Sequence, residues 1–291
     1  MEESTRGVLM VFAAAAGFGT IGIFGEAAAS IGLTLSTLLP VRFALATAAV
    51  CGIAVARGWS LPAARRDRLA TLGLGVVYTL MTLAYFLSLR YLTAGLATVV
   101  LYTYPAMLVV LSAAALGEAI TPRKAAALCL STVGVGLVAW TGTAGAEPVG
   151  VALALGSAAC YAAYTAGSRY VVPRATPEGV MVGVLVGTTL SMALYGVVGG
   201  LAVPAGGDEW AVIVGIAVVS TVAPHLLFYE GVSRIEAGRV GVVSTVEPVV
   251  AVVLGSLLLD ERVTAVVVAG GALVLGGVVL VSRGRDGAAG A

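Results

Sequence analysis

The stretches AGLATVVLYTYPAMLVVLSAAALGEAIT (94–121) and AGRVGVVSTVEPVVAVVLGSLLLDERVT (237–264) align without a gap at an offset of 143 residues. In this alignment Pro105 falls on Pro248 and Glu118 falls on Glu261, thirteen residues apart in both copies. Apolar identities between segments rich in Ala, Val and Leu arise by chance, so the aligned proline and glutamate carry the match. Because the offset is about half of the 291 residues, we expect two copies of one unit, 1–145 and 146–291.

The composition is that of a protein whose surface faces lipid. Hydrophobic residues make up 59% of the chain, charged residues only 11%, and the mean hydropathy is +1.05. Soluble domains carry about 25% charged residues, so a water-exposed surface of this size is excluded. The formal net charge of +1 provides no basic patch for nucleic acid. We therefore predict an all-α integral membrane protein with the lipid bilayer, and no nucleic acid, as a partner.

No pattern in the chain predicts a metal or a cofactor. Cys51, Cys129 and Cys160 lie in separate apolar stretches without metal-ligand spacing, which is typical of small packing residues. The sequence contains no Walker-type phosphate loop and no Gly-x-Ser-x-Gly nucleophile turn. Pumping driven by ATP within this chain is therefore not expected.

Apolar stretches suited to cross a membrane, each of about 20 residues, number ten. They lie at roughly 7–25, 35–57, 69–89, 93–117, 123–141, 149–170, 179–202, 210–233, 239–259 and 264–282. The first is predicted to be a retained helix and not a signal peptide, because Glu2 and Glu3 precede it. With the N-terminus in the cytoplasm, thirteen arginines and lysines fall in inner segments, and only Arg90 and Arg262 in outer loops. The positive-inside rule then predicts that both termini are cytoplasmic, at the plasma membrane.

Five helices per repeat mean that the second copy enters the membrane from the opposite side. Inverted repeats of this kind place a shared cavity near the middle of the bilayer, around which two halves can rock. The repeated Ala-Gly, Pro and Glu spacing, and STVEPVVAVVLGSLLLDE (244–261) above all, resembles the drug/metabolite transporter superfamily, EamA type. The resemblance covers essentially the whole chain. It implies a ten-helix secondary transporter that moves small metabolites, often amino acids, outward through a central cavity.

Glu247 is an ionisable residue predicted near mid-membrane, a position that costs roughly 2.5–3.5 kcal/mol on insertion scales. It precedes Pro248, which lacks an N–H and obstructs the carbonyl group of Ser244 four residues earlier. The ninth helix is therefore predicted to kink beside an exposed carbonyl group. Glu247 either binds a substrate amine or a proton there, or is neutral and holds the kink by hydrogen bonding to a neighbouring helix.

The eighth helix contains His225, the single histidine of the chain, directly after Pro224. It is either a hydrogen-bonded interior residue or a cavity residue level with Glu247. Glu230 lies nearer the inner end of this helix, and we expect it to pair with Arg234 at four residues' spacing.

Arg42 is the single cation deep in a predicted span, in LLPVRFALA (38–46), and Arg followed by Phe here resembles a recurring feature of the family. Its fork of donors is suited to a substrate carboxylate. Pairing with Glu26, or extension of the side chain towards the outer surface, are the alternatives.

Several tyrosines are candidates for a cavity wall or for ordinary interhelical packing. These are Tyr78, Tyr85, Tyr102, Tyr104, Tyr161, Tyr164 and Tyr229, with Phe228 beside the last. Tyr104 occupies the repeat position equivalent to Glu247. The seventh helix also presents Gly179, Gly183 and Gly187 on one face, which favours an internal helix crossing over a homodimer contact.

Together these patterns predict a secondary transporter, not an enzyme, for neutral or zwitterionic metabolites, with amino acids the leading class. Alternating access would use Pro105 and Pro248 as compliant points. Phosphorylated solutes are disfavoured because Arg42 is the single deep cation. The alternatives are a carrier of other organic solutes, a channel, or an intramembrane enzyme that uses His225 with Glu247 on lipid-linked substrates.

Overall fold

The computed structural model describes residues 2–116, 120–141, 147–171, 175–235 and 237–283, and fourteen α-helices lie within these ranges. The first seven are α1 Glu2–Gly19, α2 Ile21–Ser30, α3 Leu35–Arg57, α4 Arg65–Ser88, α5 Ala94–Leu101, α6 Tyr104–Leu116 and α7 Pro122–Thr141. The rest are α8 Pro148–Val171, α9 Pro177–Val198, α10 Gly207–Ala217, α11 Ala223–Val232, α12 Ala237–Ser244, α13 Val246–Leu258 and α14 Ala265–Arg283. Glu118 of the aligned repeat, and Arg174 and Arg285 among the counted cations, lie outside the described residues.

The predicted spans fall largely on helices, and the described ranges contain no β-strand. By length and composition alone, seven helical segments are suited to cross a membrane. They are Glu3–Ser30, Leu35–Arg57, Arg65–Ser88, Ala94–Leu111, Pro148–Ser168, Pro177–Val198 and Gly207–Val232. Two shorter apolar helices, Val242–Leu258 and Ala265–Leu280, follow. The chain is therefore an all-helical, multi-pass membrane protein.

Four of the predicted spans are interrupted. The first is divided at Thr20, the fourth at residues 102–103 and the ninth at Thr245. The eighth contains a π-helical turn, Val218–Val222, between α10 and α11. Three of these interruptions have a proline as their local cause, because its ring obstructs the carbonyl four residues earlier. Pro105 stands four residues after the end of α5, Pro248 four after the end of α12, and Pro224 follows the π-helical turn.

The glycines of α7 and α14 show how the two copies pack. A Cβ atom on Gly134 would lie 2.6 Å from the carbonyl oxygen of Gly270, and one on Gly277 would lie 2.8 Å from that of Ala127. Position 277 is 143 residues after 134, and 270 is 143 after 127, so one contact is the repeat equivalent of the other. The residue numbers run in opposite directions along the two helices. Equivalent helices of the two copies are thus antiparallel and meet at a self-complementary contact.

A second pair of glycine contacts is also related by the offset of 143 residues. A Cβ atom on Gly7 in α1 would lie 2.8 Å from the Cβ atom of Arg234, and one on Gly150 in α8 would lie 2.6 Å from that of Tyr91. Positions 150 and 234 are the repeat equivalents of 7 and 91. Each copy therefore begins with a helix whose end packs against the other copy, which leaves no gap for a separate domain between them.

The glycine face of α9 is used inside the molecule. Cβ atoms on Gly183 and Gly187 would overlap Thr71 and Leu72 of α4, and Gly196 packs on Pro40 of α3. The absence of these side chains lets α9 cross α4 with close backbone approach. This agrees with the internal contact predicted from the spacing.

Candidate solute site at the interrupted helices

Glu247 lies in the first turn of α13, directly after the interruption at Thr245. Its Oε2 atom is 2.9 Å from the Tyr102 hydroxyl, and the same hydroxyl is 2.6 Å from the carbonyl oxygen of Ser244. Pro248 leaves this carbonyl without its usual helical donor, so the tyrosine supplies the missing bond. The carboxylate and the freed carbonyl thus share one partner from the other copy.

The Tyr102 hydroxyl has a single proton but two acceptors beside it. A phenol donates one hydrogen bond, whereas an ionised carboxylate can only accept. The Tyr102 hydroxyl is the donor in both contacts, so its one proton is shared between the Ser244 carbonyl and the Glu247 carboxylate. The Tyr102 hydroxyl therefore links the Glu247 carboxylate to the backbone at the interruption.

A row of aromatic rings extends from Tyr102 across the bundle. Its ring centroid lies 6.0 Å from that of Tyr104, which is stacked at 4.1 Å on Tyr161. Tyr164 lies 6.3 Å from Tyr161 and 5.4 Å from Tyr78. All except Tyr102 are half-buried. This row of five tyrosines, the tyrosine wall, presents large amphipathic faces drawn from α4, α5/α6 and α8.

Arg42 lies at the other end of the tyrosine wall, where Phe43 packs edge-on against Tyr78 at 6.0 Å. Its guanidinium is 1% exposed and 4.9 Å from the Phe43 ring centroid. Its Nε atom donates to Thr221 Oγ1 at 2.9 Å. Among the described residues the Nη1 atom has no hydrogen-bond partner. An unpaired buried donor on a cation is costly, so this group is suited to an anion that the described residues do not supply.

Two of the alternatives for Arg42 are wrong. The side chain does not extend to the outer surface, because it is buried between rings. No ion pair with Glu26 within 4 Å is found in the described part of the chain.

The π-helical turn positions Thr221 for this contact. Thr221 Oγ1 donates to the Ile216 carbonyl, five residues earlier, at 2.9 Å. The Thr221 carbonyl oxygen is 2.7 Å from His225 Nδ1. The His225 ring packs edge-on against Phe18 at 5.0 Å. His225 is therefore hydrogen-bonded within its own helical segment, and within the described ranges no hydrogen bond or ring contact joins it to Glu247.

Thr20 is a residue that the sequence reasoning missed. Its hydroxyl donates to the Gly17 carbonyl and is 2.7 Å from Ser220 Oγ in the π-helical turn. A Cβ atom on the adjacent Gly19 would lie 2.7 Å from the Glu247 carbonyl oxygen. The interruption of the first span therefore touches those of the eighth and ninth. The run GFGTIG (17–22), with three small residues and a threonine in an apolar helix, is the signal that predicts such a position.

Tyr85 and Glu230 lie outside this cluster, whereas Tyr229 shares a side-chain hydrogen bond with Tyr164 of the tyrosine wall. Tyr85 is 6% exposed, with its hydroxyl 2.8 Å from Thr98 Oγ1, so it packs within the first copy. Tyr229 is half-buried beside Phe228, at 6.4 Å between ring centroids. Glu230 is exposed and pairs with Arg234 at 2.6 Å, as predicted.

The fold and the half-buried carboxylate at interrupted helices define a class of multi-pass membrane transporters. The EamA-like transporter family model matches residues 5–140 and again 148–283, an offset of 143 residues. The chain belongs to this family. It is therefore a transporter and not an enzyme, and the intramembrane-enzyme alternative is wrong.

Individual relatives point in the same direction. The threonine/homoserine exporter RhtA of Escherichia coli (strain K12) is 27% identical over 249 residues, covering 84% of this chain and 79% of the relative. An uncharacterized transporter of Archaeoglobus fulgidus is 30% identical over 197 residues, covering 67% of this chain and 70% of the relative. A solved crystal structure matches with a TM-score of 0.68 at 22% identity, over 97% of this chain and 99% of the other. The last match supports the fold alone.

Proposed function

We propose that the protein is a plasma-membrane exporter of small neutral or zwitterionic metabolites, with amino acids the leading class. It has ten membrane crossings with both termini in the cytoplasm, and its repeats divide at 1–145 and 146–291. The antiparallel contacts of α7 with α14 support an inverted arrangement of these repeats. The relatives named as threonine/homoserine exporters support an amino acid as solute.

The observation that carries the proposal is the Tyr102–Glu247–Ser244 contact. It places a half-buried carboxylate and a freed carbonyl where helices from both copies are interrupted. Discontinuous helices at this depth are typical of solute sites in inverted-repeat transporters. A solute ammonium group that enters there finds an acceptor pair already in place, which lowers the cost of binding.

The tyrosine wall has an acidic side chain at one end and a basic side chain at the other. Glu247 is suited to the ammonium group or to a counter-transported proton, and Arg42 Nη1 to the carboxylate. Because Arg42 is enclosed, it reaches a solute after the packing around Thr221 moves. The half-buried tyrosines between them contact the solute side chain, and they favour one with an apolar or planar part.

Alternating access follows from the scaffold. The two copies rock about the interruptions at Pro105 and Pro248, so that the site faces one side of the membrane at a time. Pro224 and the π-helical turn provide a third compliant point beside Arg42.

Counterflow in proteoliposomes tests this function. Vesicles loaded with an unlabelled amino acid should accumulate the same labelled compound above its external concentration, for at least one member of a panel containing threonine, homoserine and aromatic amino acids. Accumulation requires a carrier, whereas a channel only equilibrates the label. Equilibration without overshoot for every compound would contradict the proposal.

A further inference from the structure

Glu261 joins the two copies at the side predicted to be external. Its Oε1 atom accepts from the Ala94 backbone N–H at 2.7 Å, and its Oε2 atom accepts from that of Gly95 at 3.2 Å. Thr93 Oγ1 accepts from the next free N–H, of Leu96, at 3.3 Å. The first turn of α5 therefore depends on a carboxylate from the second copy for two of its hydrogen bonds. Such bonds to a charged acceptor are stronger than neutral ones.

The conformation of the loop after α13 positions the Glu261 carboxylate. The backbone N–H groups of Leu259 and Glu261 both donate to the Gly255 carbonyl, at 3.0 and 3.1 Å. Asp260 between them has φ = 54°, the one positive φ among the described non-glycine residues. A residue with a side chain adopts this conformation at a cost, so the surrounding hydrogen bonds must maintain it.

Glycines on both copies leave room for the Glu261 carboxylate. A Cβ atom on Gly255 would overlap its oxygen atoms, and one on Gly95 would lie 3.4 Å from Oε2. The same Cβ atom on Gly95 would lie 2.9 Å from the backbone of Val252. The carboxylate thus occupies a notch where α5 and α13 are in direct contact.

The notch adjoins an open cleft. Glu261 lines an open cleft of about 360 Å³, together with Glu26, Arg90 and Glu147. A carboxylate at the edge of such a cleft can exchange its backbone partners for water without being buried unpaired. The contact can therefore break and re-form during a conformational cycle.

Helices α5 and α13 are linked to each other at both ends of α5. At mid-membrane, α5 is followed by Tyr102, which contacts Glu247 at the start of α13. At the outer end, the loop after α13 returns to the start of α5 through Glu261. Eight residues of α5, about 12 Å of helix, separate the two fastenings. A displacement of one end is transmitted to the other, because a short helix moves as a rigid body.

We propose that Glu261 is the outer latch of the transport cycle. It holds the outer ends of α5 and α13 together while the site is closed to the exterior, and it releases the Ala94 and Gly95 N–H groups when the site opens outward. Its release withdraws Tyr102 from Glu247, which couples the outer gate to the carboxylate. The latch rests on the alternating access proposed above, but it does not depend on which solute is carried.

Accessibility of a single cysteine tests the latch. In a variant lacking Cys51, Cys129 and Cys160, Thr245→Cys places a thiol at the half-buried interruption. Glu261→Gln should speed its labelling by a membrane-impermeant maleimide from outside whole cells about tenfold, the size expected for loss of a charge-assisted bond. Labelling from the cytoplasmic side, in inverted vesicles, should slow. A merely destabilised protein would label faster from both sides.

Matched variants separate the latch from general effects. Gly255→Ala should act like Glu261→Gln, because its methyl group displaces an unaltered carboxylate. Glu209→Gln removes a carboxylate in the first turn of α10 that accepts from the Ala205 N–H just before this helix at 2.8 Å, and it should leave labelling unchanged. Gly156→Ala meets no atom within 4 Å and should also have no effect.

Three outcomes would overturn the latch. The labelling rates of Glu261→Gln and Gly255→Ala could equal those of their controls, or labelling could be faster by the same factor from both sides of the membrane. The third is that the thiol at position 245 is not labelled in any variant. The labelling needs no solute. Failure of counterflow with every compound would therefore contradict the proposed function while a side-dependent labelling change still supported the latch.

Discussion

The two interrupted helix pairs, α5/α6 and α12/α13, share one backbone plan but carry different side chains. In both pairs the first helix ends four residues before a repeat-equivalent proline, Pro105 or Pro248. At the position before that proline the first copy has Tyr104 and the second has Glu247. The repeated backbone provides two equivalent points of bending, whereas the acidic group occurs once. A solute between the copies therefore meets a symmetric frame with chemically distinct ends.

Among the variants that test this comparison, removal of the Glu247 carboxylate should have the largest effect on transport. Glu247→Gln keeps a group that can hydrogen bond to Tyr102 but cannot carry a charge or exchange a proton. We expect counterflow to fall at least tenfold, since a charge-assisted contact to the solute is lost. Initial rates of labelled solute uptake measure it.

The matched control is Glu230→Gln. Glu230 lies in α11, and its exposed carboxylate is paired with Arg234 four residues later. It should leave transport unchanged. Full transport by Glu247→Gln, with its pH dependence retained, would assign Glu247 a structural role only.

Removing the shared hydroxyl should have the next largest effect. Tyr102→Phe leaves the Ser244 carbonyl and the Glu247 carboxylate without their common partner. We expect transport to fall about tenfold and the protein to unfold at lower temperature, because a freed carbonyl inside the membrane costs free energy. Counterflow and thermal unfolding in detergent measure the two effects.

Tyr85→Phe is the control for this prediction. Tyr85 is buried and its hydroxyl contacts Thr98 within the first copy. It should lower stability by about 1 kcal/mol and leave transport intact. Equal transport by both phenylalanine variants would show that the link between the two copies has no function.

The smallest effects should come from substitutions at the symmetric contact between α7 and α14. Gly134→Ala and Gly277→Ala each introduce a methyl group against a backbone carbonyl of the other copy. We expect similar losses, about 1–3 kcal/mol of unfolding free energy each, as for overpacking elsewhere. Denaturation of the detergent-solubilised protein measures them.

Gly136→Ala in the same helix meets no atom within 4 Å and should be neutral or slightly stabilising. Very unequal losses at Gly134 and Gly277 would contradict equivalent roles for α7 and α14.

The helices and their interruptions at prolines could be read from the sequence. Apolar runs of membrane length are a local property, and Pro105 and Pro248 disturb the carbonyl group four residues earlier wherever the helix packs. The repeat offset of 143 residues was visible from the aligned proline and glutamate, and both family matches reproduce it. The Glu230–Arg234 pair was predicted for the same reason, since four residues of helix place both side chains on one face.

The contacts of the site were decided by the tertiary structure. Tyr102 meets Glu247 across 145 positions, Arg42 meets Thr221 across 179, and Thr20 meets Ser220 across 200. Which faces of distant helices oppose one another depends on their crossings and on the extra residue in the π-helical turn, and no local pattern encodes either. The sequence by itself therefore determined a membrane-spanning helical repeat with acidic and basic residues at depth. Packing alone decided that Arg42 is enclosed by aromatic rings, that His225 bonds within its own helix, and that Glu261 reaches back to α5.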